Sequence, residues 1–588
     1  MVEPSKRTDE VLSLIEDIYP LTPVQAGMLF QILYAPESRV YVNQYVFSLR
    51  GRLDTPALQK AWQGVLDRHP VLRTVFAWEG LDEPLQVVRR AVSLPWEMLD
   101  WRGVPPAAQR KQLESYLEAE RERGFDLIDP PLMRVALIRL AEDRFELTWC
   151  YHHLLLDGWS LALVLSDVFA AYEAALRQTE PALPRRRPFR DYVAWLGRQD
   201  LARAEAFWRE ALGDFTAPTP LGVDRVTRGG PEAGADSGSS TRRLSSGATA
   251  ALRAFAQQQR LTLNTVLQGA WGVLLSRYSG EESVVFGATV SGRRPELAGV
   301  EEMVGLFINT LPVRVRVEGE ARVDGWLGRL QSQQAKAREH DHPPLTRMQG
   351  WSGVSAGSPL FESIVVFENT PAWGGAGGGG DGFAVAEWRV MGRSHYPLTV
   401  TVLPGDRFEL HLEYESRRFG PEAVERILEH LEVLLEGITA DPRRRLCGVS
   451  LLREAERAQV LHAWNATSAE YPRDRCVHEL FTEQAARTPG APAVLFEDRV
   501  LTYAELERRA NRLAHHLARL GVAPEVPVGL CVERSPEMIV GLLGILKAGG
   551  AYLPLSPVSP PERLLSLLGD ARAPVLVTQP RLARRLAG

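Results

Sequence analysis

Residues Tyr151 to Ser160 read YHHLLLDGWS and carry the densest chemistry in the chain. His152 and His153 are adjacent; Asp157 stands four residues past His153, and Gly158 follows it. Imidazole is the side chain whose unperturbed pKa lies nearest neutrality, so it can accept or hold a proton under ordinary conditions. A carboxylate one turn away can shape the turn that carries such a ring. Neighbours on a connection point in different directions, so only one of the two histidines can face a given cavity. The chain supplies its own control in NRLAHHLARLG, where His515 and His516 are also adjacent. That pair lies inside a helical pattern, with Leu520 where an acid would be needed, and reads as chemically bland.

The elements around the first pair follow from periodicity. In DRFELTWC, Phe145, Leu147 and Trp149 point one way and Glu146 and Thr148 the other, which is strand alternation. Beyond the block, Leu161, Val164, Leu165, Val168 and Tyr172 share one helical face. The histidines therefore sit where a strand ends and before a helix begins.

Composition bounds the rest. The 588 residues imply roughly two to four domains. With 45% hydrophobic and 24% charged residues, the chain has the balance of a soluble globular protein. A net charge of −5 without a basic tract disfavours nucleic acid as a partner. Cys150, Cys447, Cys476 and Cys531 are far apart and form no CxxC, so neither a disulfide framework nor a metal site is expected. MVEPSKRTDE has no apolar signal core, and Ile539 to Leu546 is too short to span a bilayer. No membrane association and a cytoplasmic location are the expectations.

Several local readings follow in chain order. Thr8 to Ile18 reads as a short amphipathic helix, stopped by Pro20. Tyr45, Phe47 and Leu49 alternate as a strand. Thr55-Pro56 reads as a helix start with the Thr55 hydroxyl as cap. That helix carries Leu58, Ala61, Trp62 and Val65, and Arg68 and Arg73 beyond it are expected to brace the fold. Prolines 181, 184 and 188 mark a linker. Residues 223–242 are rich in Gly, Ser and charge and read as a mobile surface loop. Leu263, Val266, Leu267, Ala270, Trp271 and Leu274 resume helix periodicity. SVVFGATVSGR, Ser283 to Arg293, reads as a buried strand ending in a glycine turn and an arginine. Asn309, in the apolar stretch VGLFINTLPVRV, needs partners if buried, as a structural bracket or as a tunnel-wall group. The glycine run after Trp373 lacks a following Lys-Ser/Thr and is no phosphate cradle. DRFEL recurs at Asp406 to Leu410, again heading a strand that precedes a helix.

The block HHLLLDG resembles the HHxxxDG motif of nonribosomal peptide synthetase condensation domains, and chloramphenicol acetyltransferase shares its HxxxD core. LTPVQAGMLFQ, RHPVLRTVF, PFRDYVAWL, VGLFINTLPVRV, SPLFESIVVFEN and HYPLTV resemble further condensation stretches in family order. HDHPPL departs from the more usual HQDxPF, so its residues receive no role. LLREAERAQVLHAWNATSAEYP resembles the linker to an adenylation domain. LTYAEL and LKAGGAYLPLSP resemble the first two adenylation motifs, with Ser556 where that family usually has Asp. The resemblance covers residues 18 to 588. It implies an α/β (α+β) fold: two chloramphenicol-acetyltransferase-like lobes forming a V-shaped pseudo-dimer, plus a partial α/β adenylate-forming subdomain. The implied boundaries are 1–180 and 181–450 for the two lobes, 451–475 for the linker and 476–588 for the adenylation part. The family's ATP loop, later catalytic lysine and carrier domain do not occur in these residues, so the adenylation fragment is expected to be truncated and inactive.

The reaction implied by the resemblance is amide formation. A donor acyl or peptidyl thioester meets the amine of an aminoacyl thioester, each borne on the phosphopantetheine of a carrier protein or, for the donor, of CoA. No tightly bound cofactor is implied. His153 is the residue that meets the amine. A free α-amino group has a pKa of roughly 7.7–8.0, so a useful fraction is neutral at pH 7 and His153 is expected to position it and take its proton after attack. Asp157 is expected to be structural, paired with Arg293 of the SGR turn. Gly158 would let the backbone approach the substrate arms, and His152 would bond inward. Trp159, Ser160, Arg293 and Asn309 are expected to be structural or tunnel residues.

Competing readings separate on residues. Heterocyclisation domains carry DxxxxD in place of the histidines, and epimerisation domains usually read DGxSW where this chain has DGWSL. The intact His153 and Asp157 argue against an inactive docking module, and the adenylation stretch argues against a stand-alone CoA acyltransferase. For the donor, LTPVQAGMLF resembles the group that accepts peptidyl donors with a D-configured end. The short stretch preceding it favours instead a starter domain that N-acylates the first amino acid from a fatty acyl-CoA. Peptidyl condensation is the preferred expectation.

Overall fold

The computed structural model describes residues 13–36, 40–223, 237–355, 357–368, 383–392 and 394–587. The chain separates into two compact units, Met1–Gln459 and Val460–Gly588.

The first lobe of the larger unit is built on β1 (Ile15–Pro20), β2 (Val42–Gly51), β3 (Thr74–Ala77), β4 (Leu85–Arg89), β5 (Trp96–Asp100), β6 (Met133–Arg139) and β7 (Arg144–His152). β1, β4 and β3 form a small sheet. Its first strand corrects the end of the helix expected over residues 8–18, from Ile15 to Ile18; Ser13 is helical, and residues 8–12 lie outside the described residues. Val11, Leu14, Ile15 and Ile18 have helical spacing, but Ile15 to Pro20 instead pairs antiparallel with β4, and Glu16 bonds the buried Arg73 at 2.6 Å. Arg73 also donates to the carbonyl oxygens of Leu66 and Arg90, so it braces the fold as expected.

In the main sheet β7 runs antiparallel to both β2 and β6. One face of it packs on the helix Thr55–Arg68, where the Trp62 and Trp149 rings meet edge to face at 4.9 Å. The cap of that helix is Asp54, whose carboxylate accepts the Ala57 N–H at 2.9 Å; Thr55 is already helical. A carboxylate is a strong cap for the free N–H groups of a first turn and displaces the neighbouring hydroxyl. The helix Gly158–Leu176 is apolar and long enough by composition to cross a membrane, yet 56% of its most apolar window is buried inside this lobe. Apolar residues all round suit a core helix.

The second lobe contains β8 (Ser237–Arg243), β9 (Ser283–Val290), β10 (Asn309–Arg316), β11 (Ser363–Phe367), β12 (Phe383–Met391), β13 (Leu398–Leu403) and β14 (Glu409–Glu415). Six of them form one sheet in the order β10-β9-β11-β13-β14-β8. Helices Leu263–Ser279 and Pro421–Ala440 supply much of its apolar core, including Trp271 and Leu431. β8 corrects part of the loop expected over 223–242: Ser237 to Arg243 pairs with β14 as an edge strand, a position that accepts polar side chains. Residues 224–236 and the glycine run after Trp373 lie outside the described residues. β12 leaves this lobe and pairs with β2, becoming the edge of the first lobe's sheet. Leu297 to Phe307 likewise contributes to the first lobe's core. The two DRFEL copies lead into β7 and β14, each followed by a long helix.

The smaller unit alternates strand and helix. β15 (Pro492–Phe496) and β16 (Arg499–Thr502) pair antiparallel, while β17 (Pro527–Cys531) lies parallel between β18 (Ala551–Pro554) and β19 (Val575–Thr578). The helix Tyr503–Arg519 starts with a capping box between Thr502 and Glu505.

Candidate active site

The motif folds as strand end, turn and helix cap. His152 is the last residue of β7, and Asp157 is the N-cap of Gly158–Leu176, accepting the Ser160 N–H at 2.8 Å. Leu154, Leu155 and Leu156 between them are fully buried, which pins the turn. The ladder between β2 and β7 continues one step past β7: the His153 N–H donates to the Tyr41 carbonyl at 2.8 Å.

The two imidazoles are fixed differently. His152 is buried, and its Nδ1 accepts the Leu154 N–H at 3.2 Å. Burial, reinforced by the neighbouring His153, depresses its pKa to about 3, so it is neutral and bonded within the turn. His153 is half-buried, with Nδ1 2.8 Å from the Leu156 carbonyl. A carbonyl only accepts, so Nδ1 carries the hydrogen and Nε2 keeps its lone pair. Burial lowers the His153 pKa below its usual value against the opposing effects of the Leu156 carbonyl and Asp157. The result is a neutral imidazole with one nitrogen available as acceptor.

Asp157 joins the two lobes. It is 1% exposed, and besides the Ser160 N–H it accepts the Phe307 N–H at 3.0 Å and Nη2 of Arg293 at 3.3 Å. Arg293 also donates to the carbonyl oxygens of Val300 and Met303 and lies 3.9 Å over the Phe307 ring. The turn before it needs glycine: Gly292 has φ +60°, and a Cβ there would strike the Phe307 carbonyl. Ser160 Oγ donates to the Gly305 carbonyl at 2.7 Å and accepts from the Gly305 N–H and from Arg293. Trp159 Nε1 donates to Glu301 O at 2.8 Å. Asp157, Ser160, Trp159 and Arg293 thus form one bracket across the lobes. Gly158 is the first helical residue and is not among those with positive φ.

Asn309 is a structural bracket, the first of the two readings the sequence left open. Its Nδ2 donates to the carbonyl oxygens of Asp341 and Pro343, bracketing the HDHPPL loop, and it also lines a small cavity with Thr22, Tyr192 and Phe307. His515 and His516 are exposed on the helix Tyr503–Arg519 with no organised turn.

Sequence reasoning missed Tyr41 and His395. Tyr41 carries φ +68° without any glycine or asparagine signal, and its hydroxyl lies 2.5 Å from His395 Nδ1. HYPLTV was a motif without a role, so only the fold could bring His395 here.

A family model described as Condensation domain matches residues 15–461, and one described as AMP-binding enzyme matches residues 481–587. The chain is 47% identical over 572 residues to a linear gramicidin synthase of Brevibacillus parabrevis, covering 97% of this chain and 7% of that protein. It is 35% identical over 567 residues to bacitracin synthase 3 of Bacillus licheniformis, covering 96% and 9%. The chain thus spans under a tenth of the length of these two relatives. Among solved structures, the nonribosomal peptide synthetase FmoA3 superposes with a TM-score of 0.72 at 26% identity, over 97% of this chain and 58% of that one. The first condensation domain of the calcium-dependent antibiotic synthetase superposes with a TM-score of 0.63 at 18% identity, over 74% and 100%, a likeness of fold.

Proposed function

Since the chain belongs to the condensation-domain family of nonribosomal peptide synthetases, followed by an AMP-binding segment, we propose that His153 serves the formation of an amide bond. The donor is an acyl or peptidyl thioester, and the acceptor is the amine of an aminoacyl thioester on a carrier protein. The single observation that carries this reading is the 2.8 Å approach of His153 Nδ1 to the Leu156 carbonyl, from which the tautomer with Nε2 as acceptor follows.

The chemistry follows from that nitrogen. The amine lone pair attacks the thioester carbonyl, a C–N bond forms, and the carbonyl oxygen becomes an oxyanion. The nitrogen is now cationic and far more acidic than a free ammonium. An imidazole with a lowered pKa is a poor base toward a free α-ammonium of pKa roughly 7.7–8.0, but it suits this intermediate. Nε2 first accepts an N–H and so aims the lone pair, then takes the proton after attack. Collapse expels the thiolate, which regains a proton. General acid–base help of this kind contributes about 10²–10⁴-fold, and positioning can contribute more. Asp157, with Arg293, Ser160 and Trp159, keeps the lobes in register; His152 and Gly158 hold the turn and the helix start; Asn309 shapes the wall.

The reading extends to a 1–180 and 181–450 division of lobes, a 451–475 linker, substrates delivered on phosphopantetheine by donor and acceptor carriers, and a cytoplasmic setting. Peptidyl donors remain preferred. An acyl-CoA donor has the support of a fold likeness at 18% identity to the starter condensation domain of rhizomide synthetase, solved with C8-CoA. Residues 476–588 by themselves are proposed not to activate an amino acid, which amino-acid-dependent pyrophosphate exchange at background would bear out.

The test is incubation of the chain with a charged acceptor carrier and, separately, peptidyl-carrier and acyl-CoA donors, read by intact mass. An amide on the acceptor carrier supports the function, and the productive donor separates the two variants. No amide with any donor would contradict it.

A further inference from the structure

The turn that carries His153 is tied to the second lobe by a route that does not pass through Asp157. Its first link is the His153 N–H on the Tyr41 carbonyl. Tyr41 is 6% exposed and is held at φ +68°, a conformation that side chains other than glycine adopt at a cost. A strained residue persists where its surroundings over-determine it, and such residues gather at functional positions. What determines Tyr41 is on both sides of it. Its main chain continues into β2, and its hydroxyl bonds His395 Nδ1 at 2.5 Å. His395 follows β12, just where the chain returns from the first lobe's sheet to β13 of the second. Its ring lies 3.9 Å from that of Tyr396, which stacks in turn on Phe361 in the second lobe's packing. The neighbouring Ser394 and Thr399 hydroxyls lie 2.7 Å apart and anchor the return.

We propose that Tyr41 and His395 are positioning residues, whose hydrogen bond clamps the His153 turn to the second lobe and keeps the imidazole in register with substrates held between the lobes. The inference rests on the condensation reading. The Asp157 bracket fixes the helix side of the turn, and the Tyr41 link fixes its strand side. A ring anchored from one side only can swing about the other, and small misplacements of a reacting group lower turnover more than binding. On this proposal their loss acts through His153.

The experiment is a double-mutant cycle with Tyr41→Phe and His395→Leu, plus His395→Gln, whose amide oxygen can still accept from the Tyr41 hydroxyl. Each variant is measured for kcat and acceptor KM, for its thermal melt, and for the rate at which diethyl pyrocarbonate modifies His153, read by peptide mass. Expected are a loss in kcat of about tenfold for Tyr41→Phe and for His395→Leu, with KM little changed and the melt within a few degrees of the parent. The double variant is no worse than either single one, since both remove the same bond. His395→Gln recovers most of the activity, and His153 modification changes at least threefold in the two disrupted variants. Parental kcat in both, additive losses in the double variant, or losses that merely track the melt would overturn the proposal. A parent that makes no amide would refute the condensation reading instead, and an unchanged His153 modification rate would then still refute the clamp.

Discussion

The chain contains the same dipeptide twice, and the two copies differ in everything that surrounds them. His152-His153 ends a strand, is followed by three buried leucines, and meets a helix whose cap is a carboxylate shared with the other lobe. His515-His516 continues an exposed helix face, with a leucine at the corresponding spacing. A helix gives adjacent side chains no shared cavity and leaves both rings in water. A strand-to-helix turn buries one ring and presents the other with its tautomer fixed. Reactivity here lies in how the backbone holds the imidazole, and loosening that hold at different points should have effects of different size.

The largest effect is expected at Asp157, which the second pair lacks. Asp157→Ala removes the cap, the bond to the Phe307 N–H and one partner of the buried Arg293. Breaking one side of a buried ion pair costs about 3–5 kcal/mol, so urea unfolding should show a loss of that size together with lost activity. A soluble variant with a parental melt and no activity would move Asp157 from bracket to chemistry.

A smaller effect is the pH dependence of stability. His152 is neutral in the fold, with its pKa lowered to about 3, whereas an unfolded chain's histidine titrates near 6.5. Between those values the unfolded state binds the extra proton. Stability contributed by neutral His152 is therefore present above pH 6.5 and is lost as pH falls toward 3, at up to about 1.4 kcal/mol per unit. His152→Gln should flatten the difference between unfolding curves at pH 7 and pH 5. An equal slope in parent and variant would contradict this. The smallest effect is at the exposed pair itself: His515→Ala and His516→Ala should each leave condensation unchanged and shift stability by no more than about 0.5 kcal/mol.

The parts of the site readable in the sequence were the local ones. A change of period from two to near four residues located the turn, and the carboxylate and arginine found each other because a buried charge needs a partner. What escaped were features set by pairing at a distance. Ile15 to Pro20 has helical spacing of apolar residues, and only the free edge of β4 makes it a strand. Ser237 to Arg243 has the composition of a loop, yet β14 offers it main-chain partners. The crossing of β12 to β2 joins residues more than three hundred positions apart, and it carries His395 to Tyr41. The Thr55 cap failed on a margin of one residue, where Asp54 competed for the same N–H groups.

The most direct test is a single-turnover assay that compares the parent, His153→Ala and His516→Ala with donor- and acceptor-loaded carriers, read by intact mass beside a thermal melt. Loss of Nε2 from a turn that is otherwise intact should slow amide formation by at least about 10²-fold with a melt within a few degrees of the parent, while His516→Ala keeps the parental rate. Amide formation by His153→Ala near the parental rate would contradict the assignment of the reaction to this histidine.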